Sequence, residues 1–97
     1  MEFEWDEEKR QQVIRERGLD LLRAARIFEG RVLTATDSRR DYGEVRNVSV
    51  GTVGDDCYVV VFTERKNCIR LITAWKGGRD DRRQYQESLA RRNSDDG

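Results

Sequence analysis

Residues 58–62 read Tyr-Val-Val-Val-Phe, a run that is apolar on both faces of any strand it forms. Successive strand residues point to opposite sides, so neither face of this strand tolerates water and each needs a covering layer. The residues before Gly30 supply one layer. Asp6 followed by Glu7 and Glu8 offers a capping oxygen and then negative charge at the positive end of a helix dipole, and Gly18 after Arg15 and Arg17 is a stop signal. A helix is therefore predicted over 7–17. Asp20 can cap a second, in which Leu21, Leu22, Ala25 and Phe28 recur at helical spacing until Gly30, and Phe3, Trp5, Val13 and Ile14 complete the apolar side of this hairpin.

After Gly30 the period changes from helical to extended. Val32–Thr36, Glu44–Val53, Cys57–Glu64 and Cys68–Trp75 are rich in Val, Ile, Thr and aromatic residues, with turn residues between them. Gly77 and Gly78 break the last strand, and Asp80 can cap a third helix to about Arg92. The expected fold is α+β: two N-terminal helices, a four-stranded antiparallel meander and a C-terminal helix. One domain is expected over 1–92, with 93–97 a frayed tail.

Composition narrows the function classes. In 97 residues, 19 basic and 19 acidic side chains cancel, so affinity for nucleic acid or membrane must come from local arrangement rather than overall charge. With 36% hydrophobic and 39% charged residues, a modest core lies under a densely ionic surface. No apolar run approaches the roughly 20 residues that span a bilayer, and MEFEWDEEKR is too polar for a signal peptide, so a cytoplasmic protein is expected. Cys57 and Cys68 lack metal-ligand spacing and a neighbouring histidine, and are expected as unbridged thiols with no metal or cofactor.

The meander brings RDYGEVR, residues 40–46, beside TERKNCIR, residues 63–70. With Asp55-Asp56 and Lys66-Asn67 as two-residue loops, Arg46 falls opposite Arg65 and Thr63 opposite Arg70. Alternation then puts Arg46, Thr63, Arg65 and Arg70 on one face, with Val48, Val50, Val61, Ile72 and Ala74 behind them. Cations on adjacent strands repel, and a bound polyanion whose phosphates they grip is one reason to gather them, with Tyr42 and Glu44 at the rim. The other reading is a solvated strand end whose arginines pair with Asp37, Asp41, Glu44 and Glu64, each pair worth about 0–1 kcal/mol.

The chain resembles the BrnT ribonuclease toxins of bacterial type II toxin–antitoxin systems from Phe3 to about Tyr85. The likeness is carried by FEWDEEKR at 3–10, RGLD at 17–20, AARIF at 24–28, DSRRDYGEVR at 37–46, Gly51, TER at 63–65, RLITA at 70–74, and Lys76, Arg79 and Tyr85. It implies a RelE-like fold, RNA cleavage with growth arrest, and a ribbon-helix-helix antitoxin whose complex with the toxin represses its own operon. Trp75 stands where that family usually carries Arg, and Asp81 takes the place of its early acid in the last helix.

The chain has no histidine, which excludes a His-based acid and base pair. Cleavage would rest on cations around the scissile phosphate, with the substrate 2′-hydroxyl as nucleophile. The catalytic candidates are Arg65, Glu44 as base, and Lys76 or Tyr85 as proton donor; the RNA-binding candidates are Arg46, Arg70, Tyr42 and Arg40. Trp75 or Tyr42 could stack a base, although Trp75, like Trp5, Phe28 and Phe62, also reads as core. The third helix has only Tyr85, Leu89 and Ala90 as an apolar stripe and would run back toward Arg70. It should seal the second face of Tyr58–Phe62 poorly, leaving an antitoxin, or a second copy as in a homodimer within a toxin–antitoxin heterotetramer, as further cover. Non-catalytic RNA-binding or protein-interaction modules are the alternatives.

Overall fold

The computed structural model describes residues 2–37 and 43–95, with 92–95 as backbone alone. It is an α+β fold whose sheet has five strands in the order β1-β5-β4-β3-β2, not the four of a simple meander. The added strand is β1, Glu2–Glu4, which lies parallel to the last strand with Phe3 opposite Ile69 and Glu4 opposite Arg70. Its physical basis is a period of two ahead of the helix cap: Phe3 and Trp5 pack against the core, while Glu2 and Glu4 alternate away from it.

Helix α1 spans Glu7–Arg17, with the Asp6 carboxylate accepting from the amides of Glu8 and Lys9 and Gly18 closing it at φ 63°. Helix α2, Leu21–Ala24, is capped by Asp20 but tightens into a 3-10 turn over Ala25–Glu29 instead of continuing as one helix. Leu21, Ala24 and Ile27 are all buried, and their three-residue spacing suits the tighter coil, which stacks such positions over one another. Arg10 clamps this hairpin with a forked pair of hydrogen bonds to Asp20, at 2.9 and 2.8 Å. Arg10 in turn holds the Asp20 carboxyl below the ordinary aspartate range.

The remaining strands are β2 (Leu33–Asp37), β3 (Arg46–Val53), β4 (Asp56–Arg65) and β5 (Cys68–Lys76). Val53 pairs with Asp56, so the β3–β4 turn is Gly54-Asp55, with Gly54 at φ 60°, rather than Asp55-Asp56. This moves the register by an even number of residues and leaves every side chain on its expected face. The β4–β5 hairpin does turn at Lys66-Asn67, but a bulge between Val61 and Phe62 changes its register midway: Phe62 pairs with Leu71, whereas Val61 pairs with Thr73. Ile72 is the extra residue, and beyond it the alternation of β5 is inverted. Ala74 consequently joins the helix-side core, fully buried opposite Val60, instead of sharing a face with Val48 and Val50. Trp75 pairs with Val59 on the other face and is only half-buried, not a core residue.

On the helix side, Tyr58, Val60, Phe62, Ile69 and Leu71 pack under Val13, Leu21, Ala24 and Ile27. Gly51 is required there, because a Cβ would sit 2.8 Å from the Cβ of Ile27. Helix α3, Arg79–Asp95, begins one residue before Asp80 and extends past Arg92. Its start is fixed by Asp81, which accepts from the Gly78 amide at 2.9 Å. Rather than running along β5 toward Arg70, it crosses the sheet end. Arg82 donates to the Asp55 carbonyl at 3.0 Å and the buried Tyr85 hydroxyl to the Arg31 carbonyl at 2.8 Å. Both cysteines are free thiols. Among the described residues no helix is long and apolar enough to cross a membrane.

Candidate functional site

The face of the sheet opposite the hairpin ends in a charged cluster. Arg65 at the end of β4 and Arg70 near the start of β5 share one carboxylate oxygen: Glu4 Oε1 lies 3.8 Å from Arg65 Nη1 and 3.7 Å from Arg70 Nη1. A second acid meets Arg65 from the other side, with Glu44 Oε2 accepting from Nη2 at 3.3 Å. Glu44 is held there by its neighbour, because the buried Thr63 hydroxyl donates to the Val45 carbonyl at 2.6 Å and pins the approach to β3 against β4. Arg46 opens β3 across from Asp37, on the same face by alternation.

These contacts are loose. The Glu4 pairs exceed hydrogen-bond length, and Arg65 is about half exposed at 53%, so much of the guanidinium donor capacity still faces solvent. An anion with several oxygens could take both forks in place of the shared carboxylate. Sequence reasoning missed Glu4 because it follows from β1, whose only signal is the Phe-Glu-Trp alternation before Asp6. Arg40 and Tyr42, with Asp41, lie outside the described residues.

Lys76 and Tyr85 are not brought to this cluster. Lys76 pairs with Tyr58, seven residues along β4 from Arg65, which is about 23 Å in a strand. There its ammonium lies 3.9 Å from Asp56 Oδ1, in a group where Arg23 bonds both the Tyr58 hydroxyl and Asp56 and thereby lowers the Asp56 carboxyl. Tyr85 is engaged with Arg31, under α3. Near it the same sheet face forms an open groove of about 430 Å³, floored by Val48, Val50, Val59 and Trp75. Arg17 reaches round the free edge of β5 to donate to Thr73 and the Ala74 carbonyl, and lies 5.9 Å from the Trp75 ring centre. No group of three or more Asp, Glu or Cys arranged for a metal ion occurs among the described residues.

A family model described as the ribonuclease toxin BrnT of type II toxin–antitoxin systems matches residues 5–81. The chain belongs to the BrnT family. The match takes in Glu44, Arg46, Arg65, Arg70 and Lys76, while Glu4 and Tyr85 fall just outside it. Membership makes the chain a ribonuclease toxin by family and implies an antitoxin protein as its partner. No curated protein matches it.

Proposed function

We propose that this BrnT-family chain is a metal-independent endoribonuclease that cleaves RNA in the cytoplasm, arrests growth, and is neutralised by a ribbon-helix-helix antitoxin. The observation that carries the catalytic part is the convergence of Arg65 and Arg70 on Glu4 Oε1, with Glu44 against Arg65. The scissile phosphate takes the place of the Glu4 carboxylate between the two guanidiniums, and Arg46 binds the neighbouring backbone. Glu44 accepts the proton of the substrate 2′-hydroxyl, whose oxygen attacks phosphorus and expels the 5′-oxygen; the leaving oxygen takes a proton from solvent water, giving a 2′,3′-cyclic phosphate and a 5′-hydroxyl. The arginines meet the charge that develops on the phosphoryl oxygens, so the step needs no metal. Lys76 and Tyr85 have no role in this scheme, being at the other end of the sheet.

Family membership supports the toxin reading, and the ribbon-helix-helix class of the antitoxin rests on the resemblance of the motifs. The test is incubation of purified chain with single-stranded RNA in EDTA. Cyclic-phosphate and 5′-hydroxyl ends are expected. RNA that is bound in a salt-dependent way yet stays intact would instead make the chain an RNA-binding module.

A further inference from the structure

The groove beneath α3 takes no part in the cleavage scheme. Its floor is apolar, and its charged lining residues are Asp37 and Asp81, with no Lys or Arg among the described residues that form it. It opens beside β2, the outer strand of the sheet, which among the described residues pairs only with β3. The two sheet edges differ. At the far edge, β1 is three residues long and carries Glu2 and Glu4, and the carbonyl of Ala74 beyond it is capped by Arg17. Strand β2 reads Leu-Thr-Ala-Thr-Asp, and its exposed Thr34, Ala35 and Thr36 include none of the lysines or prolines that discourage pairing at an edge.

Three occupants can be weighed on charge and shape. RNA is disfavoured at the α3 end of the groove, where the charged lining residue is Asp81; Asp37, at the other end, lies across from Arg46. A second copy joined through β2 would set one acidic groove against another. A protein segment with apolar and basic side chains satisfies floor, rim and edge together.

We propose that the β2 edge and this groove seat an extended segment of the antitoxin, added to the sheet as a further strand. Its apolar side chains lie on Val50, Val59 and Trp75, and a lysine or arginine faces Asp81. The inference rests on the toxin–antitoxin reading and adds where the partner docks. It also supplies a mode of inhibition. Val48 and Arg46 are successive outward residues of β3, so a segment that continues along the groove runs onto the arginine cluster and excludes the RNA backbone.

The chain has two tryptophans, so Trp5→Phe leaves Trp75 as the sole emitter. Titrating this variant with the antitoxin purified from the adjacent reading frame should shift its emission, and hydrogen exchange should show the β2 amides protected in the complex. Ala35→Lys should weaken antitoxin binding by about tenfold or more, with RNA cleavage and melting temperature unchanged. Full-strength binding by Ala35→Lys with β2 amides unprotected would overturn the docking site while leaving the toxin–antitoxin reading intact. No binding of the antitoxin to the wild-type chain would overturn both. A Trp75 shift caused by single-stranded RNA, or self-association abolished by Ala35→Lys, would overturn the assignment in favour of RNA or a second copy.

Discussion

One face of the sheet carries two surfaces of opposite character, built from the same strands. At one end Arg46, Arg65 and Arg70 are interleaved with Glu4 and Glu44; at the other, Val48, Val50, Val59 and Trp75 line an apolar groove with an acidic rim. The bulge at Ile72 makes this pairing of surfaces possible. Without it, the alternation that points Arg70 outward would also point Ala74 outward and bury Trp75. A single extra residue therefore lets β5 contribute a cation to one half and an aromatic ring to the other.

The comparison can be broken from either end. The largest effect is expected at the charged end, where Arg70→Ala should lower the RNA-cleavage rate by about a hundredfold or more, the loss seen when one charge-stabilising donor is removed from a transition state. At the groove end, Gly77→Ala would place a Cβ 2.6 Å from the buried sulfur of Cys57, just before α3. That overpacking should cost about 1–3 kcal/mol in a denaturant melt and weaken antitoxin binding, with cleavage by the folded fraction retained. Tyr85→Phe removes only the bond to the Arg31 carbonyl, so a loss of about 0.5–1.5 kcal/mol is expected, again without a change in cleavage. A drop in cleavage by either groove-end variant would mean that the two halves are coupled.

The smallest effect lies away from both halves. Hydrogen bonding from Arg10 lowers the Asp20 carboxyl in the folded chain, so the stability it contributes is present above the unfolded aspartate value and lost as pH falls through the folded one. Asp20→Asn should therefore flatten the acid limb of the stability curve below about pH 4 and leave the neutral rate of cleavage alone. An unchanged acid limb would show that the Arg10 clamp makes no difference between the two states.

How far the sequence reveals this arrangement depends on the residue. The caps at Asp6, Gly18 and Asp20 act locally and were legible, as were the extended segments around Tyr58–Phe62. The meeting of Arg65 and Arg70 was legible because the Lys66-Asn67 turn sets it, and Arg46 kept its face, though not its place opposite Arg65, because the slip at the β3–β4 turn is of two residues. Glu4 was hidden because a three-residue parallel strand is stabilised by its partner β5 rather than by its own propensity. The bulge was equally silent: nothing in Leu71-Ile72-Thr73 marks which residue goes unpaired, and the choice is made by core packing of Ala74. The groove, and the distance of Lys76 and Tyr85 from the arginines, follow from that choice and from α3 crossing the sheet.

The central claim is that cleavage belongs to the Arg65 end of the sheet and not to the Lys76 end. It is tested most directly by removing one cation from each, as Arg65→Ala and Lys76→Ala, and measuring single-turnover cleavage of single-stranded RNA in EDTA alongside thermal melting. Both side chains are largely exposed in loose ion pairs, so both variants should melt close to wild type. The account predicts a loss of about a hundredfold or more for Arg65→Ala and wild-type cleavage for Lys76→Ala. Full activity in Arg65→Ala, or a comparable loss in Lys76→Ala, would contradict it.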